Sequence, residues 1–267
     1  MTTVLIDGDI LIYKLPEECT GEFILEKITE DEDLIYRTIT WGSKKHIESY
    51  IADKIERIKE LTKSKNVVIC LSSKTNFRKE LNPNYKAKRK TLKPVVFVFV
   101  RNLFHEKYNT IEHENLEADD LIGILATFKG NIKNIPKGEK VVWSMDKDFK
   151  TIPCTFFKED KEGNIEKYVI DEKQADYNFM FQTLTGDTTD CYYGCRGIGE
   201  KTAQKILDST DKTLKSMWNA VINAYFEKGQ TQQEALLNAR CARILRAEDY
   251  DFKKKKVKLW EMEKIIT

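Results

Sequence analysis

The sequence predicts an α/β fold with a central, mostly parallel sheet flanked by helices, and two observations carry that expectation. Thr3-Val-Leu-Ile6, Asn66-Val-Val-Ile-Cys-Leu71 and Glu139-Lys-Val-Val-Trp-Ser-Met145 are short apolar runs bounded by polar residues, the pattern of strands covered on both faces. Between the first two, Ile47, Ile51, Ile55, Ile58 and Leu61 recur at helical spacing among Lys and Glu, as a packed surface helix requires. Strand, helix and strand in that order make one crossover unit.

A chain of 267 residues is long enough for one large domain or two unequal ones. With 41% hydrophobic and 33% charged residues it can bury a core, so a disordered chain is excluded. The formal net charge of +2 conceals segregation. From Lys74 to Lys93 the bases Lys74, Arg78, Lys79, Lys86, Lys88, Arg89, Lys90 and Lys93 face the single acid Glu80. Interleaved with Phe77 and Tyr85, this strip suits a polyanion better than a lipid surface, and makes Arg78 and Tyr85 candidate nucleic-acid contacts; a solvated charged loop is the alternative. Asp7 and Asp9 interrupt the first apolar run, so no signal peptide or membrane span is expected, and a cytoplasmic protein without a membrane partner is. The six cysteines, Cys19, Cys70, Cys154, Cys191, Cys195 and Cys241, lack a second ligand pair for zinc and read as free thiols.

In chain order, the first strand delivers Asp7-Gly8-Asp9 at its C-terminal end, where ligands sit in such sheets. Phe23 to Thr40 fits a hairpin with Thr29-Glu-Asp-Glu-Asp33 as its turn. Val95 to Val100 has strand propensity, yet Pro94 suits a first helical turn and Val100, Leu103 and Phe104 continue a helical face. Leu116-Glu-Ala-Asp-Asp-Leu121 opens a buried helix whose first turn carries three acids. The third strand ends in Asp146-Lys-Asp148, whose acids point the same way if that stretch is extended. Residues 154 to 170 fit a hairpin around Glu162-Gly-Asn164. Helical patterns then cover Asp176 to Leu184 and Ala235 to Leu245, and Asp187 and Asp190 fall on one turn if Gly186-Asp-Thr-Thr-Asp190 is helical. Lys253 to Lys256 reads as a solvated tail.

The macrodipole favours an acid at a helix start by about 0.3 to 1 kcal/mol, which accounts for one or two of Glu117, Asp119 and Asp120 but not three. Crowded acids leading into a core repel each other, and a cation relieves them. Gathered by role, the candidate metal ligands are Asp7, Glu117, Asp119, Asp120, Asp146, Asp148, Asp187 and Asp190. Hard oxygen donors without a His or Cys set suit Mg²⁺ or Mn²⁺. Two such ions clamp a phosphoryl group, activate water and stabilise the leaving oxygen. Downstream, Gly194-Cys-Arg-Gly-Ile-Gly-Glu-Lys-Thr-Ala203 places a glycine turn before a helix, where backbone N–H groups can dock a phosphate beside Lys201 and Lys205.

These motifs together resemble the 5′ nuclease superfamily, the flap endonucleases and 5′-3′ exonucleases of phages and of bacterial DNA polymerase I. The matching stretches are Ile6-Asp7-Gly8, Phe77-Arg-Lys-Glu-Leu81, Tyr85-Lys-Ala-Lys-Arg89, Glu117-Ala-Asp-Asp120, Asp146-Lys-Asp148, Gly186-Asp-Thr-Thr-Asp190 and Gly197-Ile-Gly-Glu-Lys-Thr-Ala203, in the family's order. Asp146 to Pro153, Phe181 to Asp187 and Ala242-Arg-Ile-Leu-Arg246 are most similar to the exonucleases of T7-like phages. The resemblance implies a nuclease core over about 1–180, like that of PIN domains, with a basic helical arch at about 76–105. It further implies a helical DNA-binding region over 181–267 with a helix-hairpin-helix at about 190–207. It gives Asp7, Glu117 and Asp119 to one metal and Asp146, Asp148 and Asp187 to the other, with Asp120 and Asp190 supporting.

By the same resemblance Lys86 and Arg89 are catalytic residues on the arch, over the scissile phosphate. Tyr13 stacks a base, with a core tyrosine as its alternative. Gly197, Gly199, Lys201 and Lys205 grip duplex, with room for K⁺. The implied activity is Mg²⁺-dependent hydrolysis of DNA phosphodiesters from 5′ ends or at 5′ branches by a monomer, with RNA in hybrids as a further substrate. One departure stands out: where the family carries an Asp after the second strand, this chain has Ser73. That vacancy leaves open a DNA-structure-binding relative with little catalysis. Asp7-Gly-Asp9 also imitates the motif of aspartyl-nucleophile phosphatases, though that reading leaves Glu117 to Asp120 and the Gly197 turn without a role.

Overall fold

Side chains alternate between two apolar layers along each central strand, and that alternation builds the core. A computed structural model describes residues 1–15, 22–30, 33–40, 43–89, 93–94 and 96–262, with 22–30 and 33–40 described by backbone alone. Strand β1 (Thr3–Asp7) is buried throughout. It is followed by helix α1 (Gly8–Tyr13), a separate antiparallel ribbon of β2 (Glu22–Glu30) and β3 (Asp33–Thr40), helix α2 (Lys44–Thr62) and strand β4 (Asn66–Leu71). The expected hairpin over Phe23–Thr40 is present; the centre of its turn and Cys19 lie outside the described residues. Next come α3 (Phe77–Leu81), α4 (Phe97–Lys107), β5 (Thr110–Glu112), α5 (Ala118–Thr127), β6 (Lys140–Ser144) and the hairpin of β7 (Thr155–Glu159) and β8 (Ile165–Val169).

The sheet has six strands in the order β5-β4-β1-β6-β7-β8, all parallel except β8. The chain lays β1, β4 and β5 outward in one direction and then returns to place β6 on the other side of β1. A crevice outside the C-terminal ends of β1 and β6 is where such a sheet binds its ligand. On one face Val4, Ile6, Ile69, Leu71, Val141 and Trp143 pack with α2 and with Val100, Leu103 and Phe104 of α4. On the other, Leu5, Val68, Cys70 and Val142 pack with Leu121, Ile122, Ile124 and Leu125 of α5. This burial decides the 97–107 segment in favour of a helix, against its β-branched propensity; Val95 lies outside the described residues.

The C-terminal helices α6 (Glu172–Thr185), α7 (Glu200–Asp208), α8 (Leu214–Glu227) and α9 (Gln232–Ala242) form a third apolar cluster. The expected boundary at 180/181 falls inside α6, and Ile244, Leu245 and Tyr250 return to the sheet cluster. The helix expected to run to Leu245 stops at Ala242. Beyond it the backbone serves other partners: Leu245 N–H donates to Asp120 at 3.2 Å, and the Arg78 guanidinium donates to the Cys241 and Arg243 carbonyls. Lys253–Lys256 is no tail: Lys253–Lys255 lie in the exposed turn of a ribbon and Lys256 opens its second strand, β9 (Tyr250–Asp251) pairing with β10 (Lys256–Val257). Within the 190–207 window the one helix among the described residues is α7, because residues 190–199 make turns and a short bridge.

Candidate active site and metal centre

Each acid is aimed by local backbone chemistry. Asp7 closes β1 and caps α1, accepting from Ile10 N–H at 3.2 Å, while Ser144 Oγ at the end of β6 lies 3.4 Å from its other oxygen. The crevice between these strands is thus lined by a carboxylate at its root. Asp146 accepts from Asp148 N–H at 2.8 Å and starts a 3-10 helix over Lys147–Thr151. The two acids therefore share the site through a turn, not through the extended alternation the sequence suggested, because a short acid side chain that captures its own backbone two residues on bends the chain. Gln182 of α6 donates to Asp148 at 2.9 Å.

Asp187 and Asp190 are also brought together by a turn, not a helix: Asp187 accepts from Thr189 N–H at 2.7 Å and Asp190 N–H at 3.2 Å. The turn closes because Gly186 and Gly194 touch, both at positive φ; a Cβ on Gly186 would sit 2.4 Å from Gly194 N.

Asp7, Glu117, Asp119, Asp146, Asp148, Asp187 and Asp190 all line one cavity of about 1060 Å³. Asp120 does not. Its carboxylate is fully buried, held by both Arg78 Nη atoms at 2.7 Å and by Leu245 N–H. Asp120 thus anchors the first turn of α5 from behind, and its expected place among the ligands is corrected. Arg78, 2% exposed, is committed to Asp120 and to Glu117 at 3.1 Å, so it is not a surface contact for DNA. Tyr85 is likewise buried at 4% exposure, its hydroxyl donating to Glu117 at 3.1 Å and lying 3.3 Å from Asp190. Both expected DNA contacts instead brace the acids, because the core takes the aromatic and the acids take the guanidinium.

The electrostatics divide the acids into two groups. Burial, then the charges of Asp9 and Asp146, push Asp7 up to about 7, against the Ile10 N–H and Ser144 hydroxyl that favour its ionised form. Asp119 is raised well above the usual carboxylate range by burial and by Asp7 and Asp146. Asp148 rises to about 6 by burial and the charge of Asp146. Glu117 goes the other way: burial would raise it, but Lys86 and Arg78 hold it down at about 2. Buried acids that raise one another are the setting a divalent cation relieves.

Among the described residues, Lys86 and Arg89 reach this cluster from a stretch of turns. Residues 83–88 form turns between α3 and α4, and Lys86 adopts φ +57°. Lys86 pairs with Glu117 and lies 3.7 Å from Asp190, which Arg89 also contacts; Lys90 is outside the described residues. Tyr13 lines the cavity mouth at 39% exposure, its ring 5.9 Å from that of Phe97. Gly197, at φ +71°, and Gly199 have open space around them, and Lys201 and Lys205 are exposed on α7. Ser73 borders the cavity, but its hydroxyl accepts from Thr75 N–H at 3.3 Å.

The sequence profile of the 5′-3′ exonuclease N-terminal, resolvase-like domain matches residues 2–174, which contain six of the eight acids in the cavity. The chain belongs to the 5′-3′ exonuclease family. This 5′-3′ exonuclease family member is 31% identical to the exodeoxyribonuclease of Enterobacteria phage T3, over 96% of this chain and 92% of that protein. It is 30% identical to the exonuclease of Escherichia phage T7 over the same shares. A 5′-exonuclease of phage T5 with divalent zinc ions bound shares the fold, with a TM-score of 0.60 at 14% identity over 91% of this chain and 89% of that one. Membership in a nuclease family disfavours both the phosphatase alternative and a binding-only protein.

The donor set of this 5′-3′ exonuclease fits hard divalent ions, since the cavity acids supply oxygen alone. Among the described residues no three of them are already drawn to bonding distance of one point; Glu117 and Asp190 are held instead by Lys86 and Arg89. Among the cavity residues sequence reasoning missed are Arg101, a single polar residue without a motif, and Gln182, which lies inside the matching stretch Phe181 to Asp187 but was given no role. Sequence reasoning also left Asp9 out of the ligand set. Asp9 lines the cavity and accepts from Ser72 N–H at 3.0 Å, across from the end of β4. Its two-residue spacing from Asp7 was the available signal.

Proposed function

We propose that this chain is a divalent-metal-dependent 5′ nuclease that hydrolyses phosphodiesters at or near the 5′ ends of duplex, nicked or branched DNA. One observation carries the reading: eight carboxylates, Asp9 among them, from four separated segments converge on one cavity whose rim bears Lys86 and Arg89. Asp7, Glu117 and Asp119 would hold one Mg²⁺ or Mn²⁺ and Asp146, Asp148 and Asp187 the other, with Asp190 supporting. When bound, such ions supply Lewis acidity to the phosphodiester and ease deprotonation of the attacking water. Lys86 and Arg89 would turn from Glu117 and Asp190 toward the negative charge of the scissile phosphate, and Tyr13 would offer its exposed ring to a terminal base.

Residues 1–180 would act as the nuclease core and 181–267 as the duplex-holding region. There the open Gly197–Gly199 turn with Lys201 and Lys205 would grip backbone phosphates, a geometry that also admits K⁺. Phosphate contacts position a duplex without reading its bases, so RNA–DNA hybrids fall in the substrate class. The protein would act as a monomer on DNA in the host cytoplasm. No helix among the described residues is long and apolar enough to cross a membrane.

Gel analysis of 5′-labelled flap, nicked and blunt DNA with Mg²⁺, Mn²⁺ or EDTA tests the proposal. Release of 5′ mononucleotides or short fragments in either metal and none in EDTA is expected. Failure to cut all three substrates in both metals would refute it.

A further inference from the structure

Tyr192 forms a wall of the acid cavity, and on its other side lies a second cavity of about 750 Å³. Three segments far apart in sequence enclose it: Asn82 to Lys88, Cys191 to Arg196, and the stretch from Gln230 into α9. Side-chain amides pin them together. Asn82 Nδ2 donates to the Cys191 carbonyl at 3.3 Å, Gly194 N–H donates to Asn238 Oδ1 at 2.9 Å, and Arg196 N–H donates to Gln230 Oε1 at 2.7 Å. Gln230 is itself buried, so the cavity has a fixed shape and is not a gap between loose loops.

The adjacent tyrosines serve opposite sides. Tyr192 is buried and stacks on Tyr85 at 6.5 Å toward the acids, whereas Tyr193 borders the second cavity at 58% exposure. The Lys88 ammonium lies 5.8 Å from the Tyr193 ring centroid, and the Arg196 side chain, 71% exposed, has only a loose 3.8 Å contact with Glu234. An exposed aromatic face flanked by two cations matches a nucleotide: the base stacks on the ring and the phosphate meets the cations. A cavity of this volume holds a ligand of nucleotide size. Arg196 also leads directly into the Gly197 turn, which makes the two surfaces continuous.

We propose that this second cavity is a subsite for an unpaired nucleotide of single-stranded nucleic acid, with its base stacked on Tyr193 and its phosphate between Lys88 and Arg196. The subsite rests on the nuclease reading above, because it would seat a single-stranded arm of the branched substrate while the scissile strand occupies the acid cavity. Segment 82–88 is then a partition between the two strands, basic on both sides through Lys86 and Lys88.

The test uses the full chain in EDTA, so that cleavage does not enter, with fluorescein-labelled oligothymidylate as probe. Tryptophan emission of Tyr193→Trp, corrected for the wild-type signal, should quench saturably as the probe is added. The quench should vanish when Lys88→Glu and Arg196→Glu are added. By anisotropy, Tyr193→Ala should bind the probe about tenfold more weakly, from the loss of one stacked base, and Tyr193→Phe should bind as the wild type does. A saturating anisotropy change without quench, or wild-type affinity in Tyr193→Ala, would overturn the subsite alone. Absence of binding to both the probe and a flap duplex by the wild type would overturn this reading and the nuclease reading together.

Discussion

Both Nη atoms of Arg78 lie 2.7 Å from the two carboxylate oxygens of Asp120, and neither residue is more than 2% exposed. The pair ties α3 to the first turn of α5, and through the Cys241 and Arg243 carbonyls it ties both to the chain leaving α9. A charge left buried without its partner is costly. Arg78→Ala is therefore expected to lower unfolding free energy by roughly 3 to 5 kcal/mol, and the apolar pair Arg78→Met with Asp120→Leu to recover a large part of it. Urea denaturation of the three proteins checks this. Equal stability of wild type and Arg78→Ala would show that the pair does not hold the site together.

Asp146 and Asp187 sit in the acid cavity, and Lys201 stands on α7 beyond the open Gly197 turn. Asp146→Ala or Asp187→Ala should slow cleavage by a factor on the order of a hundred or more, since several kcal/mol of charge stabilisation are lost, yet leave duplex affinity near that of the wild type. Lys201→Glu should instead weaken duplex binding and flatten its salt dependence by about one phosphate contact. Filter binding across a salt series, run beside the cleavage assay, separates the roles; equal loss of affinity in all three would refute them.

Asp7, raised from 3.8 to about 7, and Asp148, raised to about 6, bind protons in the folded protein that the unfolded chain has already released. Between about pH 4 and pH 7 the native state thus holds more protons, so their contribution to stability falls as pH rises through that window. Glu117, lowered to about 2, acts oppositely and withdraws stability only as pH drops below its ordinary 4.5. The melting temperature of EDTA-treated protein should accordingly fall from about pH 5 to pH 8, and Asp7→Asn should reduce that slope. Divalent ions should reverse the loss at the upper end, where the acids are free to bind them. A flat profile in EDTA would count against the repulsion within the cluster.

Ser73 borders the cavity with its hydroxyl turned to Thr75, while Asp9 reaches the neighbouring Ser72 N–H. Restoring an acid by Ser73→Asp should move the Mg²⁺ midpoint of cleavage several-fold lower, because the change adds both a ligand and a charge. The shift should be smaller with Mn²⁺. Asp9→Asn should move the Mg²⁺ midpoint upward if Asp9 contributes the acid that Ser73 lacks. Midpoints that do not move in either variant would show that neither position faces the ions.

What the sequence determined by itself is the part of the protein governed by local periodicity and by side-chain type. Alternating and continuous apolar runs produced β1, β4, β6 and α2, and the residue types alone marked the acids as hard-oxygen donors. Those signals survive without knowledge of neighbours, since strand and helix periods are properties of the backbone. Tertiary structure decided which polar groups face the cavity and which stand behind it. Asp119 and Asp120 are adjacent on one helical turn, yet one lines the cavity and the other is sealed against Arg78 and Leu245 N–H. Arg78 and Tyr85, read from a basic strip as surface contacts, are buried because the end of α9 and the residue after it take the Arg78 guanidinium and Tyr192 stacks on the Tyr85 ring. The Asp146 and Asp187 turns were likewise set by backbone hydrogen bonds and by the Gly186–Gly194 contact. A one-dimensional pattern records how often a residue type recurs but not which distant segment comes to lie against it.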